Sequence, residues 1–513
     1  MNYRLLWNTV KHLKPTQVFY QVKYRLKKPA LVQLCAPDSV KGKLAAEPIP
    51  KFKCVEGNVF TFLNLGHEFL RPDGGKRAEL ERAGWNFTDN GMLWAYNLNY
   101  MDWLCQSVNC EEIIDKSEGE YWIDRFIDEL PNNRIGLDPY PIALRSINWV
   151  KFFCRYPEFA TKSRLDSLYS QIKLLEKKLE YHLLGNHLLE DAYALYICAC
   201  YFGDEKLLKK ASKLLKGQLE EQILPDGAHY EQSPMYHCIL LDRLLDCINI
   251  CQGSRVKGQD DVRCLSGYAV RMLGHLDSIM WTDRTIPLLN DSAQGIAPSP
   301  NQIFDYAIRL GLEWSLIPMK ECGYRKLKDG HLEAIIDVGD ITATYQPGHT
   351  HADALNYELR LEGKPIVVDC GVSTYNKTQR RQYERSTIAH NCVSPNEKNS
   401  SEVWGGFRVG KRCHTVIKED SGNVIEAIHD GFEKPCRRRF EMTSGGLVVE
   451  DWYDGEAVSY VHLAEGADES RVKVDGTKEI EIKPCKYSTE YNRFHNGKVM
   501  EIHFNGKLKY EIR

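Results

Sequence analysis

Two histidines and an aspartate lie close together in the segment 348–353, which reads Gly-His-Thr-His-Ala-Asp and precedes an alternating apolar and polar stretch. At neutral pH an imidazole can accept a proton or bind a metal. If the segment is a strand, His349, His351 and Asp353 share one face and can reach a common site. The spacing therefore indicates proton transfer or metal binding, and a purely structural role is the alternative.

A metal-binding set can be assembled by adding two residues from later in the chain. The strand after Asp353 returns through Glu362-Gly363 to Asp369, and His390 follows. His351, Asp369 and His390 would supply two nitrogens and one oxygen, a donor set that suits Zn²⁺. The alternative is an Asp–His hydrogen-bond network that holds the ends of strands.

Tyr236 is the second candidate for proton transfer. Ser233 is a good N-cap and Pro234 a good first helical residue, which places Tyr236 in the first turn of a helix. The positive end of the helix dipole favours a phenolate and so eases the release of the proton. Most tyrosines at helix starts only pack, which is the alternative here.

Asn186 begins another predicted helix, in Gly185-Asn186-His187-Leu188. Its default role there is an N-cap. An asparagine amide can also donate a hydrogen bond to a substrate carboxylate, so Asn186 becomes a functional candidate when the other candidates are near it.

The elements that must position these residues change type along the chain. Apolar residues recur three and four apart in 165–184, 188–202, 207–223, 236–250 and 262–280. Short connectors predict antiparallel helical hairpins, arranged as a solenoid or a closed toroid. After about Gly330 the period becomes two and turn residues are frequent, which predicts antiparallel β-structure. We expect a wrapping segment (1–90), a helical domain (91–325) and a β-domain (326–513), with a cleft for a long ligand between the last two.

Composition excludes some classes of function. The formal net charge of −3 argues against a nucleic-acid-binding protein. No apolar stretch approaches the ~20 residues of a membrane span, and we predict no signal peptide. The 17 cysteines are scattered without CxxC pairs, which favours reduced thiols and a cytoplasmic location.

The first thirty residues are strongly basic, with seven lysines and arginines and no acidic residue. We expect a solvated helix that leads into the fold. A basic amphipathic segment that touches an anionic membrane surface is the alternative, and it would make the protein membrane-associated.

Five separated segments together resemble the heparinase II/III family of polysaccharide lyases. They are 140–149, 185–187, 231–237, 348–353, and 385–387 with 389–391. The resemblance implies an incomplete (α/α) toroid followed by an antiparallel β-sandwich. It also implies β-elimination on an acidic, uronate-containing polysaccharide or oligosaccharide.

The resemblance assigns roles to individual residues. Asn186 looks like the group that neutralises the uronate carboxylate, Tyr236 like the acid that can also act as base, and His349 like the proton acceptor. Expected substrate contacts are Arg145, Asn148, His187, Glu231 and Arg385. In the family, the residues matching His351, Asp369 and His390 can hold a zinc ion that shapes the site without taking part in chemistry. No organic cofactor is expected.

Other functions stay open at this point. The basic opening, with Leu13-Lys14-Pro15, resembles family members associated with bacterial surface-polysaccharide gene clusters, so the substrate need not be heparin or heparan sulfate. A uronate C5 epimerase would share the first step, removal of the C5 proton. A noncatalytic polysaccharide-binding or assembly protein is the third alternative.

Overall fold

The computed structural model describes residues 3–69, 84–108, 112–114, 116–254, 259–475 and 479–513. Its helices are α1 (Tyr3–Val10), α2 (Pro15–Leu26), α3 (Met92–Tyr100), α4 (Lys116–Glu129), α5 (Pro139–Arg155), α6 (Lys162–Lys178), α7 (Gly185–Phe202), α8 (Glu205–Gln222), α9 (Pro234–Gly253), α10 (Gln259–Ile279), α11 (Pro300–Arg309) and α12 (Gln379–Glu384). None of these helices is both long and apolar enough to cross a bilayer.

The strands form small sheets near the N-terminus and one large C-terminal sheet. They are β1 (Lys51–Phe52), β2 (Val55–Glu56), β3 (Val59–Phe62), β4 (Leu65–Glu68), β5 (Gln106–Val108), β6 (Glu112–Ile113), β7 (Tyr324–Asp329), β8 (Leu332–Asp337), β9 (Tyr357–Leu361), β10 (Lys364–Val367), β11 (Val393–Ser394), β12 (Val403–Trp404), β13 (Arg408–Val409), β14 (Thr415–Ser421), β15 (Val424–His429), β16 (Cys436–Thr443), β17 (Gly446–Leu463), β18 (Val472–Asp475), β19 (Glu479–Glu490) and β20 (Arg493–Ile512).

Helices α3 to α11 form the predicted toroid. Helix α7 packs against α5, α8 and α9. The sequence of α7 is apolar on nearly every face, and almost all of its residues are buried, as expected for a helix with neighbours on all sides. The predicted Ser233 N-cap is confirmed, since Ser233 accepts a hydrogen bond from the Tyr236 amide and α9 begins at Pro234.

The predicted helix over 165–184 is too long. Helix α6 ends at Lys178, and Leu184 has a positive φ of 63°, a conformation that an L-residue avoids inside a helix. The chain turns here so that α7 can start at Gly185.

The β-domain is a large, curled antiparallel sheet, in agreement with the predicted β-sandwich. The main path of the sheet is β14-β15-β16-β17-β10-β9-β8-β7, and β20 extends it by pairing with β17. Curling brings β9 against β16, where the Tyr357 and Phe440 rings lie 5.4 Å apart. The predicted turn at Glu362-Gly363 joins β9 to β10, and both residues have the positive φ that this tight hairpin needs.

The described part of the N-terminal segment contacts several helices of the toroid. Backbone amides of Leu34, Lys41 and Ala45 donate hydrogen bonds to α6, α7 and α9 in turn. Gln17 of α2 donates to the carbonyl oxygens of Leu183 in the toroid, at 3.1 Å, and Tyr345 in the β-domain, at 3.3 Å. The segment therefore contacts both domains.

Candidate active site

A cleft of about 460 Å³ lies between the toroid and the β-domain. Residues of α3, α5, α7 and α9 line one wall, and loops of the β-domain line the other. The lining is rich in aromatic side chains: Tyr96, Tyr100, Tyr140, Tyr236, Tyr375, Phe407 and Tyr491. A concave, mostly apolar cleft with a few polar groups is typical of a ligand site, and aromatic rings can pack against the apolar faces of sugars.

The three residues predicted to carry chemistry meet at this cleft. Asn186 Nδ2 lies 3.3 Å from His349 Nε2, and the Tyr236 ring lies 3.9 Å from the His349 ring. All three line the cleft. They come from α7, α9 and a loop of the β-domain, so the site exists only where the two domains meet.

Glu231 fixes the orientation of Asn186. One carboxylate oxygen accepts the Asn186 backbone N–H at 2.9 Å, and the other accepts the side-chain Nδ2 at 2.8 Å. Gly185 makes this approach possible, because a Cβ at that position would lie 2.3 Å from the Glu231 carboxylate. Glu231 is 1% exposed and does not line the cleft, so the expectation of a substrate contact is corrected: Glu231 positions Asn186.

Residues 349–353 form an irregular loop and not a strand, so His349, His351 and Asp353 do not share a strand face. Arg385 shapes the loop by donating two hydrogen bonds to the Thr350 carbonyl, at 2.8 and 3.3 Å. The two histidines then contact opposite oxygens of one carboxylate. His349 Nδ1 lies 3.0 Å from Asp291 Oδ2, and His351 Nε2 lies 2.9 Å from Asp291 Oδ1.

Asp291 is the residue at the centre of the site that the sequence did not reveal. It is fully buried, and Arg381 binds both of its oxygens, at 2.5 and 2.7 Å. Burial alone would raise the pKa of Asp291, but Arg381 and the two histidines hold it well below its usual value. The ionised carboxylate accepts the Nδ1–H of His349, which leaves the Nε2 lone pair facing Asn186 and the cleft.

Tyr236 is held as a neutral phenol. Burial raises the pKa of Tyr236 well above its usual value, and the hydrogen bond from Tyr375 is the largest opposing effect. The nearby Asp291 and Glu231 carboxylates raise this pKa further, and Arg381 lowers it. The helix N-terminus was expected to favour phenolate, but the pKa of Tyr236 is raised instead, chiefly by burial. Tyr375 donates a hydrogen bond to the Tyr236 hydroxyl at 3.4 Å.

Two predicted arginine contacts are corrected by the structure. Arg145 is fully buried, and its guanidinium donates hydrogen bonds to Gln171 and to the carbonyl oxygens of Asn99, Gly136 and Pro141. Arg385 is also fully buried and holds the Thr350 loop. Neither side chain lines the cleft, so both position backbone rather than bind substrate.

Asn148 and His187 do line the cleft. Asn148 donates to the Tyr100 carbonyl at 3.0 Å, and His187 lies 3.0 Å from Glu180 and packs against Tyr140. Although burial opposes it, the Glu180 carboxylate raises the pKa of His187 above its usual value. A cationic imidazole is therefore favoured beside the cleft.

The predicted metal ligands lie behind this site. His390 Nδ1 is 2.7 Å from Asp369 Oδ2, and the His351 and His390 rings lie 5.2 Å apart. The His351 Nδ1 atom is buried without a hydrogen-bond partner among the described residues. Ligand atoms of the predicted Asp369 and His390 lie within 4.8 Å of one another and of the Cys370 thiol, which the sequence analysis did not single out, whereas the predicted His351 is not part of this group. An imidazole, a carboxylate and a thiol suit Zn²⁺ in kind.

Fold and site together define a toroid-and-sheet protein with a polar Asn, Tyr and His group in an interdomain cleft. The fold is that of solved heparinase structures. Heparinase III shares 16% identity with a TM-score of 0.61, covering 86% of this chain and 79% of its own. Heparan sulfate lyase HepC from Pedobacter heparinus shares 14% identity with a TM-score of 0.55, covering 97% and 87%.

Sequence comparison places the chain in a family. Residues 145–307 match the heparinase II/III N-terminus, and residues 313–479 match the heparinase II/III-like C-terminal region. A heparin-sulfate lyase of Bacteroides stercoris is 22% identical over 378 residues, which covers 64% of this chain and 55% of that protein. The chain therefore spans about half the length of this relative. It belongs to the heparinase II/III-like family.

Proposed function

We propose that this protein is a polysaccharide lyase that cleaves an acidic, uronate-containing polysaccharide by β-elimination. The observation that carries the proposal is the convergence of Asn186, Tyr236 and His349 at one end of an aromatic cleft. An amide donor, a neutral phenol and an imidazole are the three groups that the reaction needs. The names of the relatives support the same class of reaction.

The proposed reaction begins with the substrate carboxylate. The Asn186 amide donates a hydrogen bond to it and stabilises the negative charge that develops when C5 loses its proton. His349 Nε2 accepts that proton, and Asp291 stabilises the resulting imidazolium. The electron pair forms the C4–C5 double bond as the C4–O bond breaks.

The leaving group needs a proton, and Tyr236 can supply it. Its raised pKa keeps the hydroxyl protonated in the resting site, so the phenol donates to the departing glycosidic oxygen. The products are an unsaturated uronate end and a new sugar hydroxyl. The imidazolium and the phenolate return to their resting states by proton exchange with solvent.

The charges in the cleft favour a substrate with carboxylates and few sulfates. Among the cleft residues that the structure describes, the lysine and arginine side chains are Lys51 and Arg243. Lys51 pairs with Asp102 at 2.9 Å, and Arg243 pairs with Asp242 at 2.8 Å. Because these two cations are already neutralised and His187 is paired with Glu180, a densely sulfated chain would meet little compensating charge. A bacterial surface polysaccharide with uronate residues fits this cleft better.

We also propose that His351, Asp369 and His390 hold a zinc ion, with Cys370 beside them. The ion would fix the loop that carries His349 and take no part in proton transfer. Purified protein should contain about one zinc per chain by elemental analysis, and His390→Ala should lose it along with thermal stability. Absence of zinc from protein that was refolded in the presence of zinc would refute the proposed zinc site.

The cysteines support a reducing compartment such as the cytoplasm. Of the cysteines in the described ranges, none is paired in a disulfide, and most are buried. A chain that folds with free thiols is typical of a reducing environment. Fractionation of the source cells should recover the protein with its thiols reduced.

The test of the main proposal is ultraviolet absorbance of unsaturated uronate. Purified protein would be incubated with a panel of uronate polysaccharides that ranges from unsulfated to heavily sulfated. We expect absorbance to rise on unsulfated or lightly sulfated polymers, and to be abolished in both Tyr236→Phe and His349→Ala. Solvent deuterium at C5 without new absorbance would instead identify an epimerase. Binding without either signal would identify a noncatalytic binding protein.

A further inference from the structure

Exposed apolar side chains are concentrated in α1, α2 and their connection. Among the described residues twenty large apolar side chains are exposed, and eight of them lie between residues 3 and 26. They are Tyr3, Trp7, Val10, Leu13, Val18, Phe19, Val22 and Leu26. Single exposed apolar residues are ordinary on a protein surface, but such a concentration marks an interaction site.

In α2 the exposed residues form one stripe. At 100° per residue, Val18, Phe19, Val22 and Leu26 fall within an arc of about 100°, and their exposed fractions are 51, 62, 53 and 83%. The opposite side of α2 is fixed to the protein. Tyr24 donates a hydrogen bond to the Leu179 carbonyl at 2.7 Å.

Helix α1 has the same arrangement. Tyr3, Trp7 and Val10 share its outer face and are 80, 66 and 39% exposed. On the other side, Asn8 donates to Glu402 at 3.1 Å, and Thr9 accepts from the Trp404 indole at 3.0 Å. Because inner contacts hold both helices, the apolar residues are presented on an ordered surface.

Positively charged side chains, without negatively charged ones, accompany the apolar residues. Residues 3–28 contain Arg4, Lys11, Lys14, Lys23, Arg25, Lys27 and Lys28 and no acidic residue. Lys14 pairs with Glu221, whereas the other six have no carboxylate partner among the residues that the structure describes. Lys23 and Arg25 are both exposed and lie on either side of the α2 stripe.

We propose that the outer faces of α1 and α2 bind the surface of an anionic lipid bilayer. A helix with an apolar stripe between cations lies in the plane of a bilayer, with the stripe at the boundary of headgroups and acyl chains. The cations then meet the lipid phosphates. A second copy of the chain fits this surface poorly, because two such faces would bring like charges together.

Binding to vesicles tests the proposal with the full-length protein. It would be sedimented with vesicles of 30% phosphatidylglycerol in phosphatidylcholine and with vesicles of pure phosphatidylcholine. We expect strong binding to the anionic vesicles alone, weakened by salt. The double variant Phe19→Ser, Val22→Ser should bind anionic vesicles at least tenfold more weakly than the wild type. The double variant Arg25→Glu, Lys27→Glu should also lose at least tenfold in affinity, since each positive charge removed costs about fivefold.

Matched controls carry comparable substitutions at exposed sites elsewhere on the protein. They are Val416→Ser with Ile480→Ser in the β-domain, and Lys206→Glu with Lys209→Glu in α8. Both should bind like the wild type, and all variants should keep the wild-type melting temperature. Failure of the wild type to bind anionic vesicles, or equal losses in the controls, would overturn the proposal. A wild-type dimer that the stripe variant converts to a monomer, without vesicle binding, would assign the surface to self-association instead.

Discussion

His349 Nδ1 lies 3.0 Å from Oδ2 of Asp291, and that carboxylate is completely buried. The ionised carboxylate accepts the Nδ1–H and so favours the tautomer whose Nε2, beside the Asn186 amide, can take a proton. The same carboxylate also contacts His351 and Arg381. One residue thus connects the proposed base to the proposed metal ligands.

Replacing Asp291 with Asn should lower kcat by about 100-fold or more, because the amide no longer enforces the tautomer or stabilises an imidazolium. Steady-state kinetics on the substrate found by the absorbance assay would measure it. Asp283→Asn, an exposed change on the same connecting segment, is the control and should leave kcat unchanged. Equal kinetics for both variants would show that Asp291 does not position His349.

Glu231→Gln should lower kcat by roughly 10- to 100-fold, since one of the two oxygens that hold Asn186 becomes an N–H donor facing another donor. The loss should appear in kcat more than in KM, because the amide acts on charge that develops in the transition state. Glu220→Gln, exposed on α8, should have no effect. A change confined to KM would instead support the original expectation that Glu231 contacts substrate.

Asp451→Ala should lower the free energy of unfolding of the β-domain by about 3–5 kcal/mol, because it leaves the buried Arg438 charge without its partner. Arg438 binds both Asp451 oxygens, at 2.6 and 2.9 Å, and neither residue is more than 1% exposed. Asp454→Ala breaks the exposed pair with Lys434 and should cost less than about 1 kcal/mol. Urea denaturation followed by circular dichroism would separate these values, and similar losses for both variants would contradict the buried-pair argument.

Stability should depend on pH through Glu190 in the toroid. Burial raises the pKa of Glu190 to about 7, with a smaller opposing effect of Arg243. The folded state binds the Glu190 proton more tightly than the unfolded state does, and this preference stabilises the fold at acid pH. The stabilisation is lost as pH rises from about 4.5 to about 7. The free energy of unfolding of Glu190→Gln should lack that loss, on the order of 3 kcal/mol. If the free energy of unfolding of the wild type and of the variant changed with pH in parallel, the role assigned to Glu190 would be disproved.

The fold was largely predictable from the sequence, because it depends on local patterns. Apolar periodicity located α7 to α10, and the Ser-Pro pair fixed the start of α9. Gly185 and the paired histidines marked the segments that meet at the cleft. Each of these signals consists of residues that lie within a few positions of one another in the chain.

What the sequence could not show depends on contacts between distant segments. Asp291 lies in the connection between α10 and α11, with no pattern that links it to His349, 58 residues later. The family resemblance placed Arg145 and Arg385 at the cleft, where arginine would suit carboxylates. Both instead donate hydrogen bonds to buried backbone carbonyl oxygens. The pKa of Tyr236 follows from burial and neighbouring carboxylates, which only the assembled domains create.

The two hydrogen bonds of Gln17 have a mechanical consequence. Its amide joins the Leu183 carbonyl on one wall of the cleft to the Tyr345 carbonyl on the other side, and Leu183 itself lines the cleft. Gln17 therefore bridges the two domains beside the cleft, so a helix outside the cleft helps to hold its walls together. Any force on that helix would be transmitted to the opening through which a polymer enters.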